Sequence, residues 1–366
     1  MSPVDSAATT IPATLWLNTA QHALARAIVL RAGLKVVALG SPEQGQAGKL
    51  AEDFGAKPLD DLRNAIASAE PGLLLIAAPG DFASDPNTAQ QEAQTLRAAR
   101  ERGVKLATLE PLPASLLQLA AVSAKAASPV ALGPESGAES EELRTSLGEW
   151  AAMAPLSRLT SAAQEAIEAI TGGTFGPVRS ATISCLGSPA EGSLGARLVD
   201  AMDLVLALLG EPETIDAAFT ASDAARNLHP LPGESLRGLH GDMTANLRFG
   251  GGRAACVYCS SHAGRYDLAA TLIGPGGCLH LSLEGTELID ARGHRLDRPR
   301  STAGKQDDAS SAVAPLVAQL DQIIRAGRPA GLINWPQVLA MAQAALLSAR
   351  TGEPESPATM LKMAGL

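Results

Sequence analysis

The stretch TLWLNTAQHALARAIVLRAG, Thr14 to Gly33, decides how this chain is read. A short apolar run passes through a turn into a helix-like segment, and the turn holds no glycine. A strand that feeds a helix in this way opens a β-α unit, and the start of such a helix is suited to a nucleotide phosphate. Which nucleotide, if any, could sit here depends on the residues of the turn.

Outward from it, the plan repeats. LKVVALGSPEQGQAGKLAEDFGA is a second strand, a Ser-Pro turn and a helix that ends at Gly55. PLDDLRNAIASAEPGLLLIAAPG is a third unit, and its Leu73 to Ala78 run is continuously apolar, as strands inside a parallel sheet are. NTAQQEAQTLRAARERG then reads as a helix that leads to the strand VKLATLE. The alternation predicts an α/β protein whose N-terminal domain, residues 1–125, is a Rossmann-type doubly wound parallel sheet.

Ala126 to Glu142 is rich in Ser, Pro, Gly and Glu and reads as a surface loop near the domain junction, with Thr302 to Ser311 as its companion. From Val178 onward the strands lengthen: VRSATISCLG, TIDAAFTAS, MTANLRFGG, RAACVYCSS, DLAATLIGP and GCLHLSLEG, several joined by Gly-rich turns. They predict a C-terminal α/β domain, residues 126–366, on a large, mainly antiparallel open sheet. GARLVDAMDLVLALLG is a helix within it. APLVAQLDQIIRAG and WPQVLAMAQAALLSARTG close the chain as helices free to pack back on the first domain. No repeat at solenoid period is visible.

At 366 residues two domains are expected, and 46% hydrophobic with only 3% aromatic residues means a core of Ala, Leu, Val and Ile. A net charge of -9 without a Lys/Arg run argues against nucleic acid. No apolar run reaches the ~18 residues of a spanning helix, and the opening lacks a basic leader segment, so the expected location is the cytoplasm, without a membrane partner. Four cysteines make no disulfide framework in a chain this long. Cys256 and Cys259, three apart on a strand, point to opposite faces, which suits core packing rather than a metal, and no metal is expected.

The order of these elements resembles the Gfo/Idh/MocA oxidoreductase family over almost the whole chain. The resemblance rests on Phe54-Gly55, Leu59-Asp60-Asp61, LLLIAAP ending at Pro79, LEP at Leu109 to Pro111, GGTFGPV at Gly172 to Val178, and Asp200 to Gly210. No one match is specific; their order and spacing carry the assignment. It implies a dinucleotide-binding domain, an α/β domain whose sheet commonly forms the subunit interface, and hydride transfer between NAD(P) and a sugar, polyol or other small hydroxy or carbonyl compound.

Several residues depart from what that resemblance implies. In place of the G-x-G-x-x-G turn stand Asn18, Ala20 and Ala23. Asn tolerates the bend and Ala23 is small enough to pack, but the Ala20 methyl lies where backbone should meet pyrophosphate. Gln21 and His22 complete the turn, and His22 is a candidate phosphate contact or a helix cap. Ser41 stands where an acid would hold the ribose, with Glu43 as a displaced ribose ligand that would repel a ribose phosphate, and Pro79 ends the third strand. Pro111 follows Glu110 where a lysine is expected, and Asp200 takes the place of the catalytic histidine, with Asp203 as the family's aspartate.

The cofactor candidates are thus Asn18, Ala20, Gln21, His22, Ser41 and Pro79, and the catalytic candidates are Asp200, Asp203 and Glu110. Read as chemistry, Asp200 is a base whose carboxyl is raised by burial. Read as structure, it pairs with Arg197 while Asp203 caps or bonds nearby backbone. The expected function is an oxidoreductase-fold protein with impaired or lost NAD(P)-dependent hydride transfer, NAD or NADP binding weakly or not at all, acting as a partner subunit or small-ligand-binding protein. One alternative is an active divergent oxidoreductase that uses Asp200 with His240 or His262; another is a structural interaction protein. Homo-oligomers are expected through the exposed face of the second sheet, where TANLRF and RAACVYCSS are read as apolar on both faces.

Overall fold

The computed structural model describes residues 10–82, 85, 87–126, 150–220, 235–296, 312–326 and 332–366. The two loops read at Ala126 to Glu142 and Thr302 to Ser311 fall outside them, apart from Ala126 itself. The first sheet contains β1 (Ile11–Trp16), β2 (Leu34–Gly40), β3 (Lys57–Leu59), β4 (Gly72–Ile76), β5 (Val104–Thr108) and β6 (Ala152–Met153). Their order is β3-β2-β1-β4-β5-β6, and all neighbours are parallel.

The crossovers are α1 (His22–Ala32), α2 (Ala47–Phe54), α3 (Leu62–Ser68) and α4 (Ala89–Glu101), followed after β5 by α5 (Leu116–Ala126). Strand β4 is buried from Leu73 to Ile76 because helices cover both of its faces. Gly33 and Gly55 end α1 and α2 in the left-handed conformation, at φ of 62° and 61°, which a side chain would strain.

The second sheet has the order β13-β12-β11-β7-β10-β9-β8. Its strands are β7 (Ser180–Leu186), β8 (Thr214–Thr220), β9 (Asp242–Phe249), β10 (Arg253–Ser260), β11 (Asp267–Gly274), β12 (Gly277–Ser282) and β13 (Gly285–Ile289). Neighbours are antiparallel except β7 and β10, so the sheet is mixed but mainly antiparallel.

One face of it is covered by α6 (Ser161–Thr171), α7 (Leu194–Leu209) and α9 (Trp335–Thr351), with α10 (Pro357–Ala364) beside α9. Helix α8 (Val313–Ala326) instead joins the first sheet: Val313, Leu316, Leu320 and Ile323 share a core with Leu15, Leu24 and Ile28. Among the described residues no helix is long and apolar enough to cross a membrane.

The open face corrects one expectation. In β9, Met243, Ala245, Leu247 and Phe249 are buried while Thr244, Asn246 and Arg248 are exposed, so TANLRF is apolar on one face only. Strand β10 does carry Ala254, Cys256 and Tyr258 outward.

Candidate functional site

In a sheet ordered this way, β1 connects outward on one side and β4 starts the run on the other, so a crevice opens over the carboxyl end of β1. The chain leaves β1 through Leu17 into Asn18, which caps a short 3-10 turn, Thr19–Gln21, that continues into α1. Asn18 Oδ1 accepts from the Gln21 N–H at 3.1 Å, and Gln21 Oε1 accepts from the Asn18 N–H at 3.1 Å. This reciprocal pair is the capping box of a helix start. The buried Gln21 amide also donates through Nε2 to the Ala77 carbonyl at 3.0 Å, tying the turn to the end of β4.

The other cofactor candidates fall around this turn. Thr19 donates its N–H and its hydroxyl to the two carboxylate oxygens of Glu43, each at 3.2 Å. Ser41 is buried, and its hydroxyl oxygen accepts the Glu43 N–H at 3.1 Å, so it shapes the loop after β2. His22 Nε2 lies 3.2 Å from Asp53 Oδ2, and the ring meets Phe54 edge-on with centroids 5.4 Å apart. Its partners are therefore at the end of α2. Ala20 is exposed, as is Ala23, which does not pack under the helix as expected. Pro79 is buried. Its neighbour Gly80 comes so close to the loop after β2 that a Cβ built on it would lie 3.1 Å from Pro42 Cβ.

The catalytic candidates form a second group along α7. Glu110 is held by one residue: its two oxygens accept the Ser193 N–H at 2.7 Å and the Ser193 hydroxyl at 2.6 Å. Ser193 at the same time caps α7, accepting the Ala196 N–H at 3.2 Å. Burial raises the Glu110 carboxyl above its usual range, against the opposing pull of Ser193, Arg237 and Arg197.

Asp200 is 0% exposed, and its oxygens accept the Ser157 N–H at 2.6 Å and the Ser157 hydroxyl at 2.8 Å. Arg197 Nη1 stands 3.6 Å from it, and the guanidinium lies 5.0 Å above the Tyr266 ring. Burial raises the Asp200 carboxyl, and Arg197 holds it down.

The structural expectation for Asp203 needs one correction. It receives a side-chain bond, from Arg158 Nε at 2.6 Å, rather than capping backbone. Burial pushes its carboxyl up to about 6, with Arg158 opposing.

Between the two groups runs the segment from Ser235 to Gly241. Leu236 is fully buried and donates its N–H to the Ala114 carbonyl beyond β5 at 2.9 Å. Its own carbonyl lies against Gly195, where any Cβ would collide with it. Leu239 accepts the Leu194 N–H at 2.7 Å, and Arg237 donates to the Phe82 carbonyl at 2.6 Å. Burial lowers Arg237 to about 10, with the charges of Glu110, Glu92 and Asp81 opposing.

His240 and His262 are exposed, with rings stacked 6.4 Å apart at 8°. Partial burial and then the His262 charge lower His240. Cys259 is buried beside Cys185 in register while Cys256 faces outward. Among the described residues no group of three metal-ligating side chains comes together.

Ser157, Arg158, Ser193, Tyr266 and Arg237 were not singled out in the sequence. Ser193 had a signal, a serine just before a helical run. The others act across 43 residues or more and had none.

The chain matches no family model, and no curated protein matches it. Its likeness is to solved structures. Levoglucosan dehydrogenase in complex with NADH and levoglucosan is 15% identical, with 95% of this chain and 99% of that one covered and a TM-score of 0.62. Myo-inositol dehydrogenase from Corynebacterium glutamicum is 16% identical, covering 95% and 98%, with a TM-score of 0.57. Myo-inositol 2-dehydrogenase from Lactobacillus plantarum is 14% identical, covering 95% and 99%, with a TM-score of 0.61. At these identities what is shared is the fold.

Proposed function

We propose that this chain is a Gfo/Idh/MocA-type oxidoreductase-fold protein in which NAD(P)-dependent hydride transfer is impaired or lost, and that it serves as a small-ligand-binding protein or partner subunit. The observation that carries the reading is the state of Asp200. It occupies the acid/base position implied by the family resemblance, yet it has no exposed surface and both its oxygens are bonded to Ser157. A general base must come within hydrogen-bond reach of the proton it takes. Beside Glu110 stand Pro111 and Leu112, both buried and neither able to supply an ammonium.

The first turn fits a dinucleotide poorly. The Asn18 and Gln21 N–H groups donate to each other's side chains and that of Thr19 to Glu43, so three donors that would face a diphosphate are engaged. Ser41 spends an acceptor on its own loop. Losing such partners costs about 1 to 3 kcal/mol per site, and two or three losses lower affinity by roughly a hundredfold or more.

The exposed His240 and His262 pair supports a second reading, a divergent oxidoreductase acting on a small hydroxy or carbonyl compound, with an imidazole as acid/base. Turnover separates the two. With NAD or NADP and a panel of aldoses, inositols and other polyols, the first reading expects no growth of nicotinamide absorbance above a protein-free control. Turnover that is lost in His240→Ala or His262→Ala would establish the second.

A further inference from the structure

We propose that Cys278 and His280 form a nucleophile and base pair on the open face of the second sheet, a thiol site for small disulfides that lies apart from the cleft. Strand β12 alternates: Leu279 and Leu281 are buried in the helix-covered core, while Cys278 and His280, both half-buried, stand on the other face. Residues two apart on a strand share a face, and here the side chains meet, with Cys278 Sγ 3.4 Å from His280 Nε2. The other ring nitrogen is held too. His280 Nδ1 lies 3.1 Å from the hydroxyl oxygen of Thr271, its register partner on β11. With Nδ1–H donating to Thr271 Oγ1, Nε2 is a bare acceptor turned to the thiol, so a nucleophile, a base and the group that orients the base stand together.

This thiol needs such a base. Burial first, and then the Glu287 charge, raise Cys278 above its ordinary value, so it keeps its proton near neutral pH until a neighbour takes it. Glu287 stands opposite His280 on β13 and is ion-paired with Arg295, while the register partners on β11, Thr271 and Ile273, carry no charge. In the step, Nε2 takes the Cys278 proton and Sγ attacks one sulfur of the small disulfide. A new S–S bond to Cys278 forms as the old one breaks, and the departing thiolate takes the proton from the imidazolium. The small disulfide is itself the oxidant: half of it leaves as a thiol and half stays on Cys278. A second copy seated on this face would cover the thiol, so the reaction belongs to the free chain.

Dithiodipyridine, a neutral disulfide whose leaving group is read by absorbance, tests this on dilute protein, with peptide mass spectrometry to assign the site. The chain carries its own control. Cys256 is also half-buried and on the same face, but its register partners are Asn246 and Thr182 rather than an imidazole. Cys278 is expected to react about tenfold or more faster than Cys256, well within what a positioned base contributes. His280→Gln is expected to bring Cys278 down to the Cys256 rate, and Cys256→Ser to leave the Cys278 rate unchanged.

Should His280→Gln not fold, Thr271→Val, which leaves the ring unheld, is expected to slow Cys278, and Thr271→Ser to retain its rate. Equal rates at Cys278 and Cys256 in the wild type would overturn the proposal, as would a fast Cys278 that persists in His280→Gln.

Discussion

A carboxylate taken out of water stays charged only where donors replace the water, and Asp203 shows how incomplete the replacement is here. It is 3% exposed with one short bond, from Arg158, and burial outweighs that bond, raising the carboxyl to about 6. In the unfolded chain the same group ionises near its ordinary value of about 3.9. The folded state therefore holds more protons between those two values, and this contribution to stability is full below about pH 4 and falls away as pH rises through 6. Its ceiling is roughly 3 kcal/mol for a shift of about two units. Urea unfolding of the wild type and Asp203→Asn at pH 4 and pH 7 checks it: the wild type should gain on the variant at the lower pH, and a constant offset at both would contradict the account. Spacing alone made Arg197, Asp200 and Asp203 legible in the sequence, since positions three apart share a helix face. Their bonds to Ser157 and Arg158 were not legible, because nothing local marks a partner that the fold supplies from 43 or 45 residues away.

Elements were far easier to read than contacts, and the two sheets show why. Leu73 to Ile76 is apolar without a break and lies inside a parallel sheet, while β9 alternates and lies with one face on the core. Each pattern is imposed by what covers the strand. The misjudgement of TANLRF came from counting its apolar residues without their phase. The open face of the second sheet nevertheless presents Ala254, Cys256 and Tyr258 of β10 and, across the Ser180, Thr182 and Ser184 row of β7, Ala269 and Ile273 of β11, with Tyr258 38% and Ile273 48% exposed. We propose that two copies of the chain associate through this face, since burying the exposed Tyr258 and Ile273 side chains is favourable. Light scattering on the wild type should give a multiple of the monomer mass, and Tyr258→Lys, which sets a charge in the middle of that face, should shift the population toward monomer. A wild type that stays monomeric at high concentration would refute the association.

For the whole molecule, the sequence carried the architecture and only the outline of the cleft. Asn18, Ala20, Ala23, Pro111 and Asp200, standing where the family resemblance implies glycines, a lysine and a histidine, could be read directly. What occupies their place could not: Gln21 bonded to Ala77, Glu43 on Thr19, Leu236 on Ala114 and Arg237 on Phe82 bring together parts of the chain remote in sequence. Together they describe a dehydrogenase fold whose central crevice is bonded to itself. The most direct test of that claim is calorimetric titration of the wild-type protein with NAD and with NADP. The account predicts no saturable heat for either up to about a hundred micromolar, the range left when a micromolar Kd is weakened roughly a hundredfold; a micromolar Kd for either dinucleotide would contradict it.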